Sequence, residues 1–451
     1  MSASKMMRTL VVAAGVAAML ALPAGAAKAA AVYWDTVPGT VGVGDGSITG
    51  GTGTWDTTTG NWTTDGGASN VAWVNANNDT AVFGGKAGTV TIGAGGVTAG
   101  GLWFDNVYTI AGNTLTFGTA GSIAGSSSSS ATISSVLAGG AGLTKSGINT
   151  VTLNGSAVNS LTGGLTLNGG TLLVDFANLA TPTNLIDSGN ALTLGGGALS
   201  IKGKSSGATS QSLGDVTVNA GGGQILGNKN GGASTTIALG TLTLTAPGSS
   251  LLVGNATTAT ANAPVITTTT NKDAQDIYGG RVVFFNGTAN TGYDWATTAS
   301  GSSPYTLSAY SGYITLPISG GSSTANYRMT AATTLIESFS VNTLKLDNPG
   351  GNLTLGSNTL TVEGGGVLMT GTGTADRSIT GGTLTAGNGS GAYDLIVHSC
   401  GASRGLTIAS AISDNGANAV NVVKAGSGRL VLSGTNTYTG STYANSGMLD
   451  F

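Results

Sequence analysis

The chain has 451 residues, of which 78 are Gly, about 17 % against a usual share of roughly 7 %, and Thr is nearly as frequent. Charged side chains make up only 8 % and mean hydropathy is +0.22, which excludes a charge-driven disordered chain, and 8 Pro are too few for a collagen triplet helix. Gly and Thr are poor helix formers and Glu occurs only at Glu337 and Glu363, so an all-β protein remains.

Residues 1–31 read as a secretory signal peptide: Lys5 and Arg8, an apolar run from Leu10 to Leu22, then Pro23 and small residues. Ala-x-Ala sites place cleavage near Ala29 or Ala31, and the mature chain is expected to be secreted or held at the cell surface. Losing Lys5, Arg8 and Lys28 takes 16 basic side chains to 13 against 19 acidic ones, a net charge of −6. Clustered phosphate-binding cations are therefore lacking, and nucleic acid is not an expected partner. Cys400 is the single cysteine, so stability must come from sheet and core rather than an internal disulfide.

In residues 32–120, Tyr33, Trp34, Trp55, Trp62 and Trp73 predict an N-terminal cap over the open end of the first rungs, because a solenoid end exposes unpaired backbone and apolar core. Residues 121–254 then repeat one pattern: Leu165-Thr-Leu-Asn-Gly-Gly-Thr-Leu172, Leu192-Thr-Leu-Gly-Gly-Gly-Ala-Leu199, Val216-Thr-Val through Ile225, and Leu242-Thr-Leu through Leu251. Second strands beginning at 172, 199, 225 and 251 set a period of about 26 residues, the mark of a solenoid. Apolar residues alternate with Thr, so one face points inward, and Gly pairs break each strand. These features predict a right-handed parallel β-helix: at a rise of roughly 4.8 Å, about 16 rungs in one rod on the order of 80 Å long. Ser126–Ser130 is expected to be a loop between rungs.

Residues 255–340 break the rhythm and are read as aromatic-rich irregular rungs or an insertion; Tyr293, Trp295, Tyr305, Tyr310 and Tyr313 are its candidate contacts to a ligand or partner. Repeat patterning resumes over 341–451. The acids Asp175, Asp187, Asp215, Asp347, Asp394 and Asp414 stand singly, as expected of strand-end and turn caps, and Lys272-Asp273 and Asp376-Arg377 read as solvated turn pairs. His398 and Cys400 share a strand face but point in parallel, without a third orienting group. Gly221-Gly-Gly223 lacks the Lys-Ser/Thr of a phosphate loop, and Gly44-Asp45-Gly46 stands alone. No catalytic, cofactor-binding or metal-binding residue is assigned, and no cofactor is expected.

The stretch Val423-Lys424-Ala-Gly426-Ser-Gly428-Arg-Leu430-Val-Leu432-Ser-Gly434-Thr-Asn436-Thr-Tyr438-Thr-Gly440 within residues 422–451 resembles the passenger-associated transport repeat, the autotransporter-associated β-strand repeat of bacterial surface proteins. A degenerate copy runs from Leu143-Thr-Lys145-Ser-Gly147 through Leu161-Thr-Gly-Gly164, with two extra residues before its second strand. Trp34-Asp35, Gly53-Thr-Trp55-Asp56, Gly60-Asn61-Trp62, Asp79–Phe83, Gly101–Phe104 and Asn113–Phe117 look like the usual start of such proteins. The resemblance implies an exported β-helical passenger, often followed by an outer-membrane barrel or sorting signal, that uses an export machinery. A non-catalytic surface or matrix role against an extracellular polysaccharide or cell-surface partner is the first expectation; a polysaccharide lyase or hydrolase on the same fold and a structural stalk are the alternatives. The last repeat stops at Phe451, where an uncovered rung is expected to self-associate.

Overall fold

The computed structural model describes residues 10–11, 29–36, 47–126, 129–347, 351–371, 376–401 and 405–451. The signal peptide, apart from residues 10–11 and 29–31, lies outside the described residues, as do Gly44-Asp45-Gly46 and the middle of the Ser126–Ser130 tract.

The fold is an all-β parallel solenoid in which inward ladders run from rung to rung. Leu143, Leu165, Leu192, Val216 and Leu242 pair in register on one face. Val151, Leu172, Leu199, Ile225 and Val253 pair on the next. All ten are buried. Between them Thr144, Thr166, Thr193, Thr217 and Thr243 form an outward ladder, half-exposed to exposed. β-Branched Thr suits this face because it favours extended backbone while its hydroxyl reaches water. The alignment of the fourth copy is corrected by two residues: Ile225 pairs with Val253, and Leu251 with Gly223. A shift of two leaves every side chain on its face, so the alternation could not detect it.

At the N-terminal end, Ala31–Trp34 pairs antiparallel with Trp62–Thr63, which ends one sheet. Trp34, Trp55, Trp62 and Trp73 pack with Phe83 in the interior, neighbouring ring centroids 4.7–6.2 Å apart.

The expected single rod is corrected too. Strands Val282–Phe285, Tyr293–Thr298 and Tyr305–Ala309 pair antiparallel in succession, and the last also pairs antiparallel with Val265–Thr268. Winding therefore halts after the first lobe, and a second parallel lobe starts at Ile314–Thr315 with its own core of Leu344, Leu355, Val362, Leu384, Ile408 and Leu430. The second lobe runs back along the first. Asn326 meets Gln275, His398 meets Gly280, and Asn445 meets Gly248 and Ser250, so later rungs touch progressively earlier ones.

Side-chain pattern explains the docking. Outward positions on the second face of the first lobe begin as Thr150, Thr152 and Thr171 and become Leu226, Leu252, Val283 and Phe285 where the other lobe arrives. Facing them, Tyr393–Ser399 and Val420–Ala425 are buried on both faces almost throughout, apolar over Leu395–Val397 and Val422–Val423 with the polar Asp394, His398, Asn421 and Lys424 between. The seam buries Ile277, Val283, Trp295, Leu368 and Cys400 in one cluster and Ile396, Val423 and Ala425 in another. Gly280, at φ +65°, touches the backbone of Gly366: a Cβ there would lie 2.6 Å from the Gly366 Cα. Only glycine lets the two backbones come so close.

Candidate functional site

The two repeat copies use their signature lysines in the same way. Lys145 and Lys424 occupy inward strand positions and are fully buried. Lys424 Nζ donates to the carbonyls of Ala425, Gly426 and Ser446 at 2.8, 2.6 and 2.8 Å. Lys145 Nζ donates to the carbonyl of Ser146 at 2.7 Å, to Asn149 Oδ1 at 3.0 Å, and more loosely to the Gly147 and Gly169 carbonyls. Each ammonium thus ties the turn of its own rung to the turn of the next. Burial pulls both down to about 8, which leaves them mainly charged at neutral pH. Above each lies a left-handed glycine, Gly170 at φ +60° and Gly447 at φ +75°, where a Cβ would come within 2.9 and 2.8 Å of the nitrogen. Of the remaining motif residues, Leu430 and Leu432 are core, Asn436 accepts from the Ile412 amide, and Tyr438 shares a hydrogen bond with Thr442. Gly428, Gly434 and Gly440 lie in the connecting turns. The motif is scaffold chemistry.

The candidate ligand-binding residues separate. Trp295 is fully buried, edge-on to His398 with centroids 5.5 Å apart, so it is withdrawn as a contact for an external ligand. Tyr310 and Tyr313 pack against each other in the seam; the Tyr313 hydroxyl accepts from the Trp295 amide at 3.1 Å, and Lys345 Nζ lies 5.2 Å from its ring. Tyr305 opens the last antiparallel strand and is half-buried. Tyr293 alone of the five lines a cleft of about 330 Å³ between the lobes, stacked on Phe285 at 4.4 Å. One wall carries Gln224, Leu226, Ser250 and Leu252; the other carries His398, Cys400, Ser427, Asn445 and Ser446. Sequence reading missed this wall, although Leu226 and Leu252 at positions held elsewhere by Thr were a signal for it.

Most of the acids take the structural roles expected of them: Asp187, Asp215 and Asp414 accept backbone amides at turns. Asp376 accepts the Gly405 amide, and Asp273 accepts the amides of Gln275, Ile277 and Gly279 while its neighbour Lys272 pairs with Asp276. Asp394 is a correction. It is buried, and across the seam it accepts from Arg281 Nη1 at 2.8 Å and the Gly248 amide at 2.9 Å, besides Asn421 Nδ2 at 2.8 Å. Lys345 pairs with Asp294 nearby.

His398 and Cys400 are set against nucleophilic chemistry. Burial pushes the thiol up to about 12 and the imidazole down to about 3, the latter helped by the cations Lys424 and Arg281, so the pair stays neutral rather than forming thiolate and imidazolium. His398 Nε2 lies 3.1 Å from the Gly280 carbonyl, across the seam. An unfolded histidine binds a proton below pH 6.5 and the native one does not until about 3, so stability rises with pH in that window and is lost as pH falls through it. From pH 7 to about 4.5 the loss should be roughly 2 kcal/mol in urea unfolding, and His398→Gln should remove most of it. An unchanged slope in that variant would show that another group controls acid sensitivity.

Among the described residues no group of three or more His, Cys, Asp or Glu is gathered as for a metal ion. Residues 143–174 and 422–450 match the Passenger-associated-transport-repeat family, so the two stretches built around Lys145 and Lys424 are copies of that repeat. Over 198 residues the chain is 40 % identical to the adhesin BmaC autotransporter of Brucella suis biovar 1 (strain 1330). That alignment takes in 40 % of this chain and 6 % of the relative, so the chain corresponds to a small part of that protein's length. No solved structure gives a significant match.

Proposed function

We propose that this chain is an exported, non-catalytic passenger module that acts in adhesion at the bacterial surface. Identity to an autotransporter adhesin over 198 residues carries the reading. Several features of the chain support it. The solenoid spends its signature lysines on holding rungs together, its acids on turns and the seam, and its one Cys and one His on a neutral, buried pair. What it offers to solvent is a charge-poor surface of Thr ladders and a cleft, which suits binding better than bond cleavage. Export through a signal peptide and association with the outer membrane belong to the same reading.

Beads coated with the chain from residue 32 onward should adhere to cultured epithelial cells or to polysaccharide films. Beads coated with the Leu194→Asp variant, which places a carboxylate on the inward ladder and should not fold, are the control. Adherence no better than that control, or release of sugar fragments from the films, would overturn the assignment.

A further inference from the structure

We propose that the cleft between the two lobes binds a short neutral saccharide, with Tyr293 as the stacking wall and Gln224, Ser427 and Ser446 as its hydrogen-bonding partners. This rests on the adhesion reading and names the ligand class of that function.

Charge is the first argument. Among the described residues no Asp, Glu, Lys or Arg lines the cleft, and these residues offer an anionic or cationic ligand no counter-charge. The cations that act on His398 and Cys400 at the cleft are already engaged: Arg281 by Asp394, Lys345 by Asp294, and Lys424 by three carbonyls.

Free hydrogen-bonding capacity is the second. Gln224 stands on strand Gly223–Asn228 at an outward position, and its amide has no hydrogen-bond partner among the described residues; the same holds for the Ser427 and Ser446 hydroxyls across the cleft. Asn445 is not among them: its Nδ2 donates to the Gly248 carbonyl and Ser250 Oγ, both at 2.8 Å, and its Oδ1 is closed off from solvent, so this amide braces the wall. A wholly apolar ligand would shut Gln224, Ser427 and Ser446 away from water unpaired, at a cost.

The third is the apolar wall. The Tyr293 and Phe285 rings stack, Tyr293 is half-exposed, and Leu226 and Leu252 continue the surface. A sugar ring is the ligand that presents a C–H face to an aromatic ring and hydroxyls to amides at the same time. At about 330 Å³ the space lies at the low end of small-molecule sites, enough for a short saccharide and too little for a folded segment. Both lobes contribute, so the site exists only while they are docked.

The test is calorimetric titration of the chain from residue 32 onward with cellotriose, xylotriose and mannotriose, and with trigalacturonate as the anionic counterpart. At least one neutral trisaccharide should bind. Gln224→Ala and Tyr293→Ala should each weaken it about tenfold, while Tyr293→Phe, which keeps the ring, should change it less than about threefold. Urea midpoints matching the parent chain establish that the variants are folded, and Ser427→Ala at a turn provides a further variant if either core-adjacent one is not. No binding by any neutral trisaccharide, equal binding of trigalacturonate, or binding indifferent to the folded variants would overturn the proposal. If beads still adhere to cells while no trisaccharide binds, the ligand class falls and the adhesion reading stands; saccharide binding without adherence overturns the adhesion reading instead.

Discussion

Replacing Asp394 with Ala should lower stability by about 3 kcal/mol and loosen the second lobe from the first. The carboxylate is buried and answers three donors, two of them on the opposite lobe. Removing it leaves the Arg281 guanidinium and the Gly248 amide without their seam acceptor, and breaking a buried pair from one side typically costs about 3–5 kcal/mol. The lower end applies because Arg281 is one-fifth exposed and keeps its contacts to Ser249. Replacing both partners, Arg281→Met with Asp394→Leu, should recover only part of the loss, since it removes the desolvated guanidinium but still leaves the Gly248 amide and Asn421 Nδ2 without their acceptor. Urea unfolding measures the first effect, and limited proteolysis of the connection around residues 310–320 measures the second. A single variant within about 0.5 kcal/mol of the parent, the range of ordinary surface substitutions, would mean that the seam is not held by this pair.

The solenoid itself was legible because its rule is local. Leu-Thr-Leu alternation fixes which side chain points inward, and Leu194 is buried where Thr193 is half-exposed, as the pattern requires. Register was legible only modulo two, hence the misplacement of Leu251 against Ile225. Doubling back was not legible, because the seam joins residues far apart in sequence: Arg281 lies 113 residues from Asp394, and Asn445 lies 197 from Gly248. No period connects such pairs. Two local clues were nevertheless present. Leu226, Leu252 and Val283 replace Thr at outward positions, and Leu395-Ile-Val397 and Val420-Asn-Val-Val423 are apolar on both faces. Each says that an outer face is covered; neither says by what. The aromatic segment failed as a uniform set for the same reason, since Trp295 fills the seam and Tyr293 faces the cleft though they stand two residues apart.

Lys424→Ala should cost about 3–5 kcal/mol, and Lys424→Met about 1–3 kcal/mol. Lysine at an inward position of an apolar ladder looks like a fault, and a solvated charge is the usual expectation for a lone Lys in a repeat. Here the stem fills core volume and the ammonium satisfies the carbonyls of Ala425, Gly426 and Ser446, groups that a tight glycine turn directs inward. Alanine loses both contributions: roughly 0.8 kcal/mol for each buried methylene, and the price of leaving carbonyls unpaired. Methionine keeps most of the stem volume and forfeits only the hydrogen bonds. The spread between the two variants therefore separates packing from bonding. Lys145, whose ammonium bridges the same two turns one copy earlier, should give the same order, and the two sites should add because they share no partners. Thermal or urea unfolding of the four single variants decides it. Methionine as costly as alanine would assign the whole effect to the ammonium, and methionine more stable than lysine would mean that desolvating the charge outweighs the bonds it makes, leaving the repeat's lysine without a stabilising role.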